Sequence, residues 1–224
     1  MTLWLLGCVP PSVIGLRTDG TMPLNSELSV GWGAFPSVAE DTEEPLGKYQ
    51  VAGLQARQRL SNRVGFAASM GLLPAYIEQG VAGTADAELQ VQLLEREPVD
   101  LQVSVGIDTY MQGTWDDGFG GGFTAGLHSG LVLSRQLPAD LHPFIGTKLN
   151  PVFPGGTPTP WLQVGGGLSW RPPIDDATRG LLHLEATHYT GFGAFTYGVE
   201  RPVDIETWGF LVLAGASFGP THGP

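Results

Sequence analysis

The chain has 224 residues, 33 of them glycine, and only 15% are charged, against about 25% in ordinary soluble domains. A net charge of −11, with 11 Lys and Arg and no basic stripe, excludes a nucleic-acid-binding surface, which needs clustered positive charge. A single cysteine, Cys8, excludes an intrachain disulfide framework, and no run of 18 apolar residues is present to form a transmembrane helix.

Taken in chain order, the sequence begins with a Pro/Gly-punctuated leader over residues 1–25. Within it Leu5-Leu6-Gly7-Cys8 resembles a bacterial lipobox, in which cleavage precedes a lipidated cysteine, so Cys8 is the speculative lipid attachment point. The basic n-region and most of the apolar h-region of a signal peptide are missing, and the alternative is a truncated signal holding a chance cysteine. Both readings imply export.

After the leader come about ten short runs of alternating apolar and polar residues, at 27–35, 49–58, 63–72, 87–95, 99–110, 122–134, 141–150, 160–170, 180–189 and 207–218. None carries a convincing 3.6-residue period, so the expectation is an all-β chain. The connections alternate in length. "PSVAEDTEEPLGK", "LPAYIEQGVAGTAD", "MQGTWDDGFGG" and "TGFGAFTYGVERPVDIE" are long, whereas "RLSN", Arg96 to Pro98 and "RQLPAD" are short. Two medium links, "PVFPGGTPT" and "RPPIDDATR", fit either side. A membrane-crossing up-and-down meander has this rhythm, with short periplasmic turns and longer outer loops.

Successive side chains on a strand point to opposite faces. One face, exemplified by Leu28, Val30, Leu54, Phe66, Met70, Val105, Ile107, Leu127, Ile145 and Val212, carries no charge. The other is small and polar, with Arg57, Glu88, Asp108, His128, Lys148, His183 and Glu185 at its parity. A soluble sheet exposes Lys, Glu and Thr on its wet face. Gly, Ser, Gln and scattered charges of both signs instead fit a crowded lumen, where strands curve inward. The hairpin "LQARQRLSNRVGFAASMGL" is then inside out, with its apolar side towards lipid.

At this point the chain resembles a bacterial outer-membrane β-barrel. The final strand, "WGFLVLAGASF", sets Trp208, Phe210, Val212, Ala214, Ala216 and Phe218 on one face and is similar to the C-terminal signal read by the outer-membrane assembly machinery. In most such proteins the aromatic is the last residue, whereas here "GPTHGP" follows. Aromatics near the strand ends, Trp32, Phe123, Trp170, Trp208 and Phe218, with Tyr110, Trp161 and Tyr189, read as interfacial girdles. The resemblance implies an antiparallel up-and-down transmembrane β-barrel of about ten strands over residues 26–219, followed by a tail at 220–224. It implies outer-membrane location, with membrane lipid, lipopolysaccharide and the assembly machinery as partners, and it identifies no particular family.

Chemistry-bearing patterns are sparse. In "HLEATH", His183 and Glu185 share a strand face while His188 points away, so the three cannot close on one ion. Omptin proteases set paired acidic residues and a His–Asp pair in an extracellular groove, and lipid A deacylases use a Ser and a His on the outer wall. The nearest candidates here are Asp116 and Asp117, which lack an identifiable His partner, and His128 beside Ser129, which face opposite ways. "GFGGGF" and "VGGGLSW" lead into no phosphate-binding helix. Glu40 to Glu44 make the first long loop acidic: it reads first as a solvated loop with no ligand, and otherwise as one that holds divalent cations beside lipopolysaccharide or biases a pore toward cations. The lumen charges read as a paired network or as the lining of a pore. No catalytic residue, metal or cofactor is expected. Three functions remain: a small passive channel for ions or solutes; a structural or loop-mediated interaction barrel with a plugged lumen; and a soluble ligand-binding β-barrel lipoprotein.

Overall fold

The computed structural model describes residues 15–35, 49–72, 80–96, 99–114, 123–152, 159–194 and 203–219. They form strands β1 (Ser26–Phe35), β2 (Tyr49–Arg59), β3 (Val64–Leu72), β4 (Gly80–Arg96), β5 (Val99–Thr114), β6 (Phe123–Arg135), β7 (Leu141–Val152), β8 (Thr159–Trp170), β9 (Pro173–Asp175), β10 (Thr178–Ala194) and β11 (Val203–Phe218). Each long strand pairs antiparallel with its neighbours in chain order, and β11 returns to pair with β1, so ten long strands close a barrel. β9 is a three-residue extension on β10. Closure removes the unpaired strand edges that lipid does not tolerate.

The strand ends that flank the short connections at 60–63, 97–98 and 136–140 lie at one end, which is the periplasmic end of a barrel of this kind. There the start of β1 meets the end of β11, with the Asn25 N–H donating to the Phe218 carbonyl at 2.9 Å. The medium link 171–177 falls at this end as well, and the ends of β7 and β8 that flank residues 153–158 lie at the other. Strands β4, β5, β10 and β11 extend further towards the outer end than their alternation indicates. Gly80 to Asp86, read as loop from their Gly, Thr and Asp content, are ladder residues paired with β5. Backbone pairing to a long neighbour carries them, where intrinsic propensity does not.

Parity decides burial with an inverted sign. Val30 is 59% exposed and Met70 60%, and Leu28, Leu54, Phe66, Val105, Ile107, Leu127, Ile145 and Phe210 are exposed with them. Among the described residues 25 polar or charged side chains are buried against nine hydrophobic ones. A water-soluble domain shows the reverse. The uncharged belt faces lipid and the polar core is the lumen; no helix of the described residues is long and apolar enough to cross a membrane, and the strands cross instead. Trp32, Trp170, Trp208 and Phe218 stand on the outer surface. Phe123 begins β6, and its side chain lies outside the described residues, as do those of Tyr110 and Trp161. Tyr189, read as a girdle aromatic, instead points inward and is 2% exposed. Its parity on β10 is that of His183 and Glu185, and the lumen gives its hydroxyl a partner.

A charge placed on the belt at mid-height tests this orientation. Val105→Arg is expected to lower stability by about 2–4 kcal/mol, whereas Leu60→Arg, on the periplasmic turn, costs at most about 1 kcal/mol. Reversible urea unfolding in phospholipid vesicles measures both; equal effects at the two positions would contradict a lipid-facing belt.

The lumen and its plug as candidate functional site

Residues 15–24, part of the stretch read as leader, run inside the barrel from the periplasmic mouth to mid-height. Asp19 is fully buried, and Leu16 and Thr18 are 4% and 3% exposed. The segment has three positive-φ positions, Gly15 at 59°, Arg17 at 59° and Gly20 at 79°. Glycine adopts this conformation freely, whereas an arginine does so only where its surroundings hold it. Here the surroundings are the lumen wall.

Two anchor points fix the upper part of the plug. The Leu16 and Arg17 amides donate to the two carboxylate oxygens of Glu185 at 2.6 and 3.0 Å, and the Gly15 amide donates to the Tyr189 hydroxyl at 3.0 Å. Glu185 is held in turn by His183 Nε2 at 3.1 Å and by the Thr187 hydroxyl, and His183 Nδ1 lies 2.8 Å from Ser169 Oγ. A carboxylate accepting backbone amides makes strong, charge-assisted hydrogen bonds. The Leu16 side chain packs with Val132 on β6 and Phe144 on β7, and Phe144 stacks on His183 at 4.7 Å. A Cβ on Gly146 would approach Leu16 Cδ1 to 2.8 Å, so this wall glycine makes the room that Leu16 fills.

The lower part is fixed by ions. Arg171, just past β8, grips Asp19 through Nε at 2.7 Å and Nη2 at 3.2 Å, and through Nη1 reaches Glu27 of β1 at 2.5 Å. Glu27 accepts from Arg57 of β2 at 3.0 Å, Arg57 also donates to the Thr21 carbonyl and to Gln90 Oε1, and Gln90 donates to Glu88 at 2.5 Å. One chain of hydrogen bonds thus runs from the plug around the wall to β4. Asp19 further caps its own turn by accepting from Thr21 N–H and Oγ1.

All seven charged or imidazole residues placed in the lumen by parity are buried there: Arg57, Glu88, Asp108, His128, Lys148, His183 and Glu185. The structure sorts them into three groups. Arg57 joins the lower ion network, and His183 with Glu185 forms the upper anchor. Glu88, Asp108, His128 and Lys148 gather on the β4–β7 wall around Asp86, which lies 2.7 Å from His128 Nε2 and 3.5 Å from Lys148 Nζ. Sequence reasoning missed Asp19, Glu27, Asp86, Arg171 and Tyr189. Asp86 and Glu27 share the parity of Glu88 and Ser29 and lay one position beyond the faces as drawn. Asp19 sits in a segment with no period, and no pattern pointed to it. His188 faces outward with its ring 4.8 Å from Trp208, apart from His183 and Glu185. His128 is buried and Ser129 exposed, on opposite faces. Cys8, the acidic loop at 40–44, Asp116, Asp117 and the tail at 220–224 lie outside the described residues.

A closed ring of ten antiparallel strands, an uncharged outer belt and a charged, self-paired interior define a transmembrane β-barrel of the outer-membrane class. No family model matches the chain, and no curated protein matches it. Among solved structures it is similar to the outer-membrane protease OmpT of Escherichia coli, with 9% identity, 90% of this chain and 100% of that one covered, and a TM-score of 0.44. It is also similar to Ail, the attachment invasion locus protein of Yersinia pestis (15% identity, 88% and 99% covered, TM-score 0.30), and to the N-terminal β-barrel domain of Pseudomonas aeruginosa OprF (11%, 87% and 99%, 0.30). Likeness at this level carries no activity over to this chain.

The ion network sets the cost of breaking the site. Arg171→Ala leaves two buried carboxylates short of a partner and is expected to destabilise the plugged barrel by about 3–5 kcal/mol. Arg171→Lys restores only part of this, because an ammonium cannot make the two-pronged contact with Asp19. Urea midpoints in vesicles read the difference; a loss below about 1 kcal/mol for Arg171→Ala would remove the network from any structural role.

Proposed function

We propose that this outer-membrane barrel is closed at rest by its own N-terminal segment and meets its surroundings through its outer loops rather than through its lumen. The observation that carries this reading is the seating of residues 15–24 across the lumen, held by Glu185 above and by Arg171 and Arg57 below. A lumen of ten strands lies near the side-chain-filled end of the size range, and here a chain segment occupies it as well. The acidic stretch Glu40, Asp41, Glu43 and Glu44 supplies carboxylates that fit bridging through divalent cations to the phosphates of lipopolysaccharide. A soluble ligand-binding lipoprotein is disfavoured by an exterior belt that water does not solvate.

A second reading, a narrow passive channel, draws on the polar lumen and on a cavity of about 330 Å³ at the periplasmic mouth, lined by residues including Thr21, Gln92, His142, Arg171 and Arg179. Planar-bilayer recording separates the two. The intact chain is expected to give no discrete current steps, and deletion of residues 15–22 to produce them. Regular steps of one size from the intact, folded chain would instead establish the channel.

A further inference from the structure

We infer that the lumen wall carries a site for a divalent first-row transition-metal ion, formed by Asp86 and Glu88 of β4 and His128 of β6, with Asp108 of β5 beside it. One ligand atom from each of Asp86, Glu88 and His128 lies within 4.8 Å of the other two. Strand register explains how residues on separate strands converge. Glu88 is opposite Gly106, Gly106 is opposite His128, and Asp86 is opposite Asp108, so all four side chains rise from the same patch of the inner face.

The imidazole is the second, independent sign of a ligand. His128 is 2% exposed, and neither ring nitrogen makes a hydrogen bond. Its Nε2 lies 2.7 Å from Asp86 Oδ2, close enough for an ion contact but misdirected for an N–H···O bond. A nitrogen and a carboxylate oxygen this close, with the hydrogen bond between them unmade, are placed so that both can donate to one ion. A buried imidazole with no hydrogen-bond partner is otherwise costly. One oxygen of the fully buried Asp108 also has no hydrogen-bond partner, while the other accepts from Asn150 at 2.7 Å.

Space is reserved at the same place. A Cβ on Gly106 would come within 2.5 Å of His128 Nε2, 2.7 Å of Glu88 Cβ and 2.4 Å of the Ala87 carbonyl. Only glycine leaves the ring nitrogen room to reach between the two β4 carboxylates. The electrostatics favour a cation as well. Asp86 and Asp108 face one another directly across β4 and β5, a like-charge pair that destabilises a sheet. The positive groups nearby are Lys148, at 3.5 Å from Asp86, and Arg17 of the plug, which hydrogen-bonds Ser69, the β3 residue paired with Asp86. One imidazole with carboxylate oxygens suits Mn²⁺, Fe²⁺, Co²⁺ or Zn²⁺ rather than soft Cu⁺, which prefers sulfur.

Isothermal titration of the full refolded chain in detergent with Zn²⁺ tests the site. One ion per chain is expected. His128→Ala and Asp86→Asn weaken binding at least about 100-fold, beyond the 10–100-fold typical of losing a supporting residue. Lys148→Met, which removes a competing cation, tightens binding about tenfold or more. His128→Gln replaces His128→Ala if the alanine variant fails to give the native far-UV circular dichroism. No saturable binding, or binding unchanged by both His128 and Asp86 substitutions, overturns the site and leaves Zn²⁺ on exposed carboxylates as the source of any heat. Because the intact and plug-deleted chains both retain the three ligands, saturable binding can be read in either one, whether or not the plug closes the barrel.

Discussion

A charge inside a membrane barrel has nowhere to go but to another charge. Arg171 shows the constraint at its sharpest, since one guanidinium, almost fully removed from water, holds Asp19 of the plug and Glu27 of the wall together. Take away the plug and Arg171 keeps Glu27 but loses Asp19; take away Arg171 and Asp19 loses its ion-pair partner while Glu27 is left with Arg57 alone. Burial of either sign alone is expensive, and a pair is stable only when geometry and further hydrogen bonds satisfy it. The bidentate grip on Asp19, the Asx turn through Thr21 and the Arg57 bridge supply those bonds. The plug is therefore a complement to the wall rather than a loose end lying in a pore.

The same constraint links the parts of the lumen. From Asp19 through Arg171, Glu27, Arg57 and Gln90, hydrogen bonds lead without a break to Glu88, at the edge of the carboxylate and imidazole cluster on the β4–β7 wall. Arg17 approaches that cluster from the plug side through Ser69. Charge added to or removed from the cluster is felt by the residues that seat the plug, because low-dielectric surroundings screen such interactions little. Outside, the belt obeys a simpler rule: any apolar residue of adequate size serves, and packing is left to lipid.

Much of this was legible beforehand. Ten strands, their order and the face each residue takes follow from period-two alternation and the rhythm of turns, and Leu28, Arg57, His128 and Glu185 each lie where parity puts them. What escaped has physical reasons. Residues 15–24 have no internal hydrogen-bond ladder and hence no periodic signature; their conformation is imposed by the wall. Asp86 sits in a Gly/Thr/Asp-rich stretch whose strand character comes from pairing with β5. Tyr189 looks like any interfacial aromatic until its parity is counted. Val132, Phe144, Leu211 and Leu213 are apolar yet face inward, where Leu16 and the small residues of β1 need partners that fill space.

The plug stands or falls on the backbone amides of Leu16 and Arg17, which donate to Glu185 deep in the lumen. Amide hydrogen exchange of the labelled barrel in lipid nanodiscs reads them directly. A seated plug gives slow exchange at both, comparable with amides in the strands, and Glu185→Gln speeds it. Exchange at the rate of an unstructured peptide, in a barrel whose strand amides remain protected, would mean that the segment does not occupy the lumen.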